Sequence, residues 1–246
     1  MTKLKTLFLT ILLTGGLVMS SVSAQTIKLL TSTLSSGHYL VRPDDRQAHP
    51  GIIMIHEWWG LNENIKKQAD ILAKERYVVL AVDLYHGKVT DKPEEAMSIM
   101  QKVDAKKAVA DLLDAVNYLK SQSFVNKDKI GSIGWCFGGG YSLQLALNDK
   151  NLKACVIYYG RLVNDPEQLK KIKAPILGIF GSEDKSISVE SVREFDKLLT
   201  QVKLPHEIKI YPGVGHAFAN PSNPGYHPEF TKDAWSKVQA FYKKNL

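Results

Sequence analysis

The sequence predicts an α/β fold with a doubly wound, mostly parallel sheet and helices on both faces. Short continuous apolar runs at 51–56 and 78–82 are typical of strands that are buried on both sides. These runs alternate with segments such as 105–121, in which apolar residues recur at helical spacing. Strand–helix alternation of this kind implies right-handed crossovers and therefore a parallel sheet.

The individual elements are expected in a simple chain order. Residues 27–42 are mixed in character and provide one or two small strands. Further strands are predicted at 51–56, 78–82, 129–133, 155–159, 176–180 and 207–211, and helices at 62–76, 105–121, from 141 onward, at 189–202 and at 230–243. No internal repeat, low-complexity tract or linker is visible, so 25–246 is predicted to form one domain. The connection between Tyr159 and Pro175 is too short for a large lid, which predicts a compact pocket.

Length and composition exclude several classes of protein. The chain has 246 residues, of which 44% are hydrophobic and 23% are charged. These proportions are typical of globular proteins and argue against disordered, collagen-like and multi-span membrane proteins. Two cysteines are too few for a disulfide scaffold or a structural zinc site. The lysines are scattered, with no cluster of arginines and aromatic residues, so no nucleic-acid partner is expected.

Residues 1–24 have the features of a secretory signal peptide. Lys3 and Lys5 precede an apolar stretch that is shorter than a membrane span, and small residues lead to a plausible cleavage site between Ala24 and Gln25. An uncleaved membrane anchor is the alternative. Cleavage would remove the two lysines and lower the formal charge from +7 to +5. We therefore expect an exported protein, periplasmic or secreted, with no stable membrane association and acting as a monomer.

The glycine-rich segment 134–140 carries the first chemical signal. It has the form G-x-Nuc-x-G, with Cys136 as the nucleophile, between a predicted strand and a predicted helix. Such a nucleophile sits in a sharp turn, so its neighbours must lack side chains. The helix N-terminus favours a thiolate, and the backbone N–H of Phe137 is placed for an oxyanion. The alternative is a glycine-rich turn with a buried, inert cysteine.

A cysteine nucleophile needs a base, and the base needs an acid that orients it. Asp184 and His216 each follow a predicted strand, and the carboxyl ends of parallel strands gather at one edge of the sheet. The order nucleophile, acid, histidine is that of α/β hydrolases. Glu183 is the rival acid, although a glutamate at that position is expected to face solvent.

Three other histidines are weaker candidates for the base. His206 begins a strand and so lies at the wrong end of the sheet. His227 follows His216 in a loop and is an alternative candidate within reach of the pocket. His56 ends a strand, and a structural, hydrogen-bonded role is favoured for it. We therefore predict a Cys136–His216–Asp184 triad.

Glu57 directly follows the first buried strand, where α/β hydrolases place an oxyanion loop. A carboxylate there is expected to hold the Cys136 thiol in its protonated form until substrate arrives. Trp58 would offer a second oxyanion N–H. The side chains of Trp58 and Trp59 either wall an apolar pocket or pack in the core, and the sequence favours neither.

These features resemble the dienelactone hydrolase family of the α/β-hydrolase superfamily, from about residue 51 to the C-terminus. The matching motifs are His56-Glu57-Trp58-Trp59-Gly60-Leu61-Asn62, Asp83-Leu84-Tyr85, Gly134-Trp135-Cys136-Phe137-Gly138-Gly139, Tyr158-Tyr159-Gly160, Asp184 and Gly215-His216-Ala217-Phe218. The resemblance implies that Cys136 attacks an ester or lactone, that His216 transfers the proton, and that Glu57 quiets the resting thiol. It implies no metal and no organic cofactor. Candidate substrate contacts are Trp59, Tyr85, Arg161 and Phe218.

Two departures from the family pattern bear on the substrate. Members that cleave dienelactone carry one arginine soon after the catalytic histidine and another before the long helix, and both grip the substrate carboxylate. Here Asn220 occupies the first region, and no arginine lies between Arg76 and Arg161. Lysine does not reproduce a bidentate arginine contact. Arg161, at a predicted strand end, is a candidate substitute for that anion contact.

The sequence thus predicts an exported cysteine hydrolase of small esters or lactones. Two alternatives stay open, namely a non-catalytic binding or thiol-redox protein on the same fold, and a hydrolase of amides or lactams. Cys155 begins its strand while Cys136 lies at the carboxyl end of the neighbouring one, a separation of roughly 16 Å for five strand residues. A disulfide between them is therefore not expected, and Cys155 is assigned to the core.

Overall fold

The computed structural model describes residues 27–246, so the predicted signal peptide lies outside the described residues. The strands are β1 (Leu29–Thr33), β2 (Tyr39–Pro43), β3 (His49–Ile55), β4 (Val78–Val82), β5 (Val125–Trp135), β6 (Ala154–Tyr158), β7 (Ile176–Gly181) and β8 (His206–Tyr211). The helices are α1 (Glu63–Lys74), α2 (Pro93–Gln101), α3 (Ala105–Ser121), α4 (Phe137–Asn148), α5 (Pro166–Leu169), α6 (Val189–Gln201) and α7 (Pro228–Asn245).

The eight strands form one sheet in the order β1-β2-β4-β3-β5-β6-β7-β8. The pairs β1–β2 and β2–β4 are antiparallel, and the pairs from β4 to β8 are parallel. β3 and β4 are buried almost throughout because helices cover both faces. The predicted doubly wound α/β fold is confirmed.

Local sequence signals explain where the main helices begin. The Asn62 side chain accepts a hydrogen bond from the backbone N–H of Ile65 at the start of α1. The Asp104 carboxylate does the same for two backbone N–H groups at the start of α3. Such side-chain caps satisfy N–H groups that have no acceptor within the helix. α1 and α7 meet on one face, where Gln239 donates to Glu75, while α3 packs against α4.

The structure adds two helices that the sequence analysis did not predict, α2 and the short α5. α2 has a proline and two glutamates in its first turn, which are helix-start signals. Ala96 is the residue of α2 that is fully buried, and Met97 is 41% exposed. The helix therefore lacks the broad apolar stripe by which the other helices were recognised.

The parallel strands all end at one edge of the sheet, and this edge carries the candidate functional residues. The strands β3, β5, β6, β7 and β8 end at or just before Glu57, Cys136, Tyr159, Asp184 and His216 respectively. Within residues 27–246, no helix has the length and apolar character needed to cross a membrane.

Candidate active site

Cys136 lies in the sharp turn that joins β5 to α4. Its φ angle is +53°, in the left-handed region that a side-chain-bearing residue rarely adopts. The turn is held by a 3.0 Å hydrogen bond from the Cys136 backbone N–H to the carbonyl oxygen of Tyr158 on β6. The next residue, Phe137, is the first residue of α4, so its N–H has no acceptor within the helix and is available to an oxyanion.

Two glycines make this turn possible. A β-carbon at Gly134 would overlap the carbonyl group of Gly138, and one at Gly138 would overlap the carbonyl oxygen of Ile55 and lie 2.5 Å from that of His56. The turn therefore packs backbone against backbone, as the G-x-C-x-G pattern predicts.

His216 and Asp184 meet beside this turn. The Nδ1 atom of His216 lies 2.7 Å from Oδ2 of Asp184, and the other carboxylate oxygen accepts hydrogen bonds from the backbone N–H groups of Ser186 and Ile187 at 2.7 and 3.0 Å. Asp184 is buried, whereas Glu183 is exposed. The Asp184 carboxylate, rather than that of Glu183, thus orients the imidazole.

The surroundings favour the charged forms of both residues. Burial opposes ionisation of Asp184, but its hydrogen bonds with His216 and the two amides hold its pKa below the ordinary value. Burial also opposes charging of His216, but Asp184 and the neighbouring Cys136 raise the pKa of the imidazole to about 10. Part of this rise comes from the negative charge of the Cys136 thiolate, so it stabilises the imidazolium that forms when the thiol proton moves to His216.

The three other candidate histidines lie elsewhere. His227 caps α7 and stacks on Phe230 at 4.0 Å between ring centroids. His206 contacts the carbonyl oxygen of Leu204 at the amino end of β8. His56 is fully buried, and none of the three contacts Asp184.

His56 fixes the loop that carries Glu57. Its Nε2 accepts a hydrogen bond from the backbone N–H of Leu84, so Nδ1 carries the proton and donates to the carbonyl oxygen of Glu57 at 2.6 Å. Burial lowers the pKa of His56 to about 4, which keeps the ring neutral. Its structural role ties the loops after β3 and β4 together.

Glu57 is a buried carboxyl group, with 3% of its surface exposed. Its Oε2 accepts a 2.6 Å hydrogen bond from Nδ2 of Asn220. Oδ1 of Asn220 accepts from the backbone N–H of Ser222, which fixes which end of the amide faces Glu57. Burial raises the pKa of Glu57 to about 7, although His216 and Asn220 both act to lower it. Asn220 was not predicted as a partner of Glu57.

A cavity of about 1080 Å³ opens onto these residues. Its walls include Cys136, His216, Glu57 and both predicted tryptophans, Trp58 and Trp59. The tryptophan rings lie 4.6 Å apart and are partly exposed, which places them at the cavity wall rather than in the core. The cavity is larger than the compact pocket that the short β6–β7 connection predicted, because the unforeseen α2 and the segment 161–168 extend its walls.

The predicted substrate contacts divide into two groups. Trp59 and Arg161 line the cavity. Phe218 is fully buried behind His216, with its ring packed on Tyr159 and Tyr211, so its side chain is not brought to the cavity wall. Tyr85 is 3% exposed and lies between His56 and Phe137, also away from this wall. In both cases neighbouring aromatic rings pack on the side chain.

Tyr159 lines the cavity although the sequence analysis did not single out its side chain. Its ring lies 5.1 Å from that of His216, and its hydroxyl group is buried without a hydrogen-bond partner. The available signal in the sequence was its place directly after a strand, within the motif Tyr158-Tyr159-Gly160.

Cys136 and Cys155 are both free, and Cys155 is buried against Ser142. Among residues 27–246 no cluster of three or more histidine, cysteine or acidic side chains is arranged to hold a metal ion.

A parallel sheet with a nucleophile elbow after β5 and an acid and a histidine after β7 and β8 defines an α/β hydrolase. Residues 37–246 match the model of the dienelactone hydrolase family. The chain belongs to this family, and the resemblance on which the sequence analysis relied is confirmed. Its class is that of hydrolases acting on ester or lactone bonds.

Similar proteins agree with this assignment. "Putative carboxymethylenebutenolidase" of Saccharolobus solfataricus is 33% identical, over 84% of this chain and 93% of that protein. "Protein usf" of Aquifex pyrophilus is 34% identical, over 80% and 89%. The crystal structure titled "Putative Dienelactone Hydrolase" from Klebsiella pneumoniae has a TM-score of 0.77 and 26% identity, and covers 88% of this chain and 98% of that one.

Proposed function

We propose that this protein is an exported, cysteine-dependent hydrolase that cleaves small-molecule esters or lactones through an acyl-enzyme intermediate. The observation that carries the proposal is the placement of Cys136 on a strained turn, in the same cavity as a His216 whose Nδ1 is held 2.7 Å from the Asp184 carboxylate. A nucleophile, a base and an orienting acid are the parts that acyl transfer requires.

The reaction follows from these positions. The Cys136 sulfur attacks the carbonyl carbon as His216 accepts the thiol proton, and the carbonyl π electrons move to the oxygen, where the backbone N–H groups of Phe137 and Trp58 hold the oxyanion. Collapse of this intermediate expels the alcohol oxygen, which takes the proton from His216. Water then attacks the thioester while His216 accepts its proton, and release of the acid returns the proton to Cys136.

Glu57 acts on the resting thiol in this proposal. It lines the same cavity as Cys136, and a negative charge there disfavours a thiolate. The pKa of about 7 means that this carboxyl group changes charge near neutrality. Alkylation of Cys136 by iodoacetamide at neutral pH should therefore be slow and should accelerate in Glu57→Gln. Equal alkylation rates in the two proteins would contradict this role.

Export rests on the charged, apolar and small-residue pattern of residues 1–24. Mass spectrometry of the protein expressed in a Gram-negative host tests it, with an N-terminus at Gln25 in the periplasmic fraction or the medium as the expected result. Full-length chain in the cytoplasm would contradict export. Gel filtration of the processed protein tests the expected monomer.

Hydrolysis of p-nitrophenyl acetate by wild type, Cys136→Ala and the matched control Cys155→Ala tests the catalytic proposal. Removal of Cys136 should lower kcat/KM by about 10³-fold or more. Removal of the other, buried thiol should leave the rate nearly unchanged. Wild-type rates in Cys136→Ala would refute the proposal. Absence of turnover by wild type on this and longer esters, with a sulfenic acid detected at Cys136, would favour a thiol-redox protein.

A further inference from the structure

The cavity extends well beyond the triad along one face of α4. Cys136, Gly140 and Gln144 all line it, at intervals of one helical turn. Eight residues of α-helix span about 12 Å. The cavity therefore follows α4 for roughly this length from the nucleophilic sulfur, far more than an acetyl group or a small lactone ring requires.

The wall that faces this side of α4 is apolar. α2 contributes Met97 and Met100, and α3 contributes Ala105 and Val109. α3 packs against α4, which places Ala105 and Val109 across from the α4 face, and the two methionines line the same cavity. We call the part of the cavity between α2, α3 and α4 the apolar arm. Methionine side chains are flexible and adapt to chains of different shape.

The charged groups of the cavity disfavour an anionic substrate. Apart from the triad residue His216, the charged side chains among the described lining residues are the carboxyl groups of Glu57 and Asp165 and the guanidinium of Arg161. Arg161 is an exposed side chain, so solvent screens its charge. The Glu57 carboxyl group, which lies at the reacting end, faces the neutral amide of Asn220 and not a guanidinium.

The positions of the catalytic groups decide which part of an ester enters the apolar arm. His216 must protonate the leaving oxygen, so the alcohol portion lies on the side of His216, where the adjacent Ala217 also lines the cavity. The acyl carbon bonds to the sulfur of Cys136, the residue from which α4 starts. The acyl chain is thereby directed along α4.

We propose that the substrates are uncharged esters with a medium-length apolar acyl chain that lies in the apolar arm. An extended single-bonded chain advances about 1.2 Å per bond, so 12 Å accommodates about eight to ten carbons. This inference rests on the proposed cysteine hydrolase function and defines its substrate class. It replaces the small acyl group expected from the sequence.

The test is a chain-length profile with p-nitrophenyl acetate, butyrate, hexanoate, octanoate, decanoate and palmitate. Burial of each methylene should raise kcat/KM about two- to fourfold up to octanoate or decanoate, with no further gain for palmitate. A maximum at acetate or butyrate, with a steady fall beyond it, would overturn the inference while leaving the hydrolase function intact. Absence of turnover on every ester would instead remove the proposed function itself.

Variants with a tryptophan in the apolar arm test whether the acyl chain binds there. Val109→Trp should lower the ratio of kcat/KM for octanoate to kcat/KM for acetate by at least about tenfold, because only the long chain needs the filled space. Gln144→Trp fills the far end and should act on decanoate more than on hexanoate. Val89→Trp, at a residue that is 52% exposed and outside the cavity, is the control. Retained acetate hydrolysis shows that a variant is folded, and equal losses on acetate and octanoate would contradict an acyl site.

Two esters of equal chain length that differ in charge test the preference for uncharged substrates. Hydrolysis of p-nitrophenyl hexanoate is compared with that of the p-nitrophenyl monoester of adipic acid, which has the same chain length and a terminal carboxylate. The neutral ester should be preferred by about tenfold or more, in keeping with the cost of bringing a carboxylate into an apolar site. A preference for the anionic ester that disappears in Arg161→Gln would show that Arg161 selects anions and would overturn this part of the inference.

Discussion

The substitution Glu57→Gln should stabilise the protein in a strongly pH-dependent way. Glu57 has 3% of its surface exposed, and burial raises its pKa from 4.5 to about 7. A carboxyl group whose pKa is raised by folding carries no cost below pH 4.5, where both folded and unfolded chains are protonated. The cost grows between pH 4.5 and 7 and is complete above 7.

The size of the effect follows from the same two pKa values. Their difference corresponds to about 3 kcal/mol of lost stability above neutrality, at 1.36 kcal/mol per pKa unit. Glutamine keeps the size of the side chain and an oxygen that can accept the hydrogen bond from Asn220, but it has no charge to bury. Other ionisable groups are common to both proteins, so the difference between the two free energies of unfolding isolates Glu57.

Urea unfolding of wild type and Glu57→Gln between about pH 4 and pH 8 measures this difference. The advantage of the variant should be near zero at the acidic end and should rise by about 3 kcal/mol toward the alkaline end. Glu183→Gln, at an exposed neighbour of the same site, is the control and should show little change. A difference that does not vary with pH would refute the assignment of Glu57 as a buried, titrating carboxyl group.

Three further predictions concern the partners and the backbone of the site. Asp184→Asn should lower the pKa of His216 from about 10, because the Asp184 hydrogen bond is the largest effect that raises it. NMR titration of the imidazole measures this pKa, and an unchanged value in the variant would contradict the prediction. Asn220→Leu should raise the pKa of Glu57 and move the pH-dependent cost to higher pH in urea unfolding, whereas an unmoved midpoint would contradict the Asn220 contact. Gly138→Ala should destabilise the protein by about 4 kcal/mol or more in thermal unfolding, because its β-carbon would overlap backbone atoms. Gly140→Ala is the control. Its β-carbon would meet Arg161 at 3.4 Å, so its stability should stay within about 1 kcal/mol of wild type. Similar losses in the two glycine variants would refute the steric argument.

The main strands and the candidate triad could be predicted because their signals are local. An apolar run identifies a buried strand, and a glycine pair around Cys136 identifies the turn that follows it. Parallel pairing then brings the strand ends together, whatever the length of the connecting chain. Asp184 and His216 are thus placed by topology, and their 2.7 Å contact is a consequence of that topology.

The cavity could not be predicted in the same way, because its size depends on elements with weak patterns. α2 buries little of its surface, and two of its methionines line the cavity. A helix that lines an open site lacks the broad apolar face that periodicity detects. The weak apolar pattern that made α2 hard to recognise is that of a helix that lines an open cavity.

The contact of Glu57 with the neutral amide of Asn220 explains why this buried carboxyl group keeps a raised pKa. The two residues are 163 positions apart, and no local pattern pairs them. A guanidinium beside a buried carboxylate would hold its pKa low and keep it charged. An amide donates a hydrogen bond but brings no charge, so burial prevails and the pKa of Glu57 rises to about 7. Because its partner is neutral, the charge of Glu57 beside Cys136 responds to pH near neutrality. This pH response is the property on which the proposed control of the Cys136 thiol by Glu57 depends.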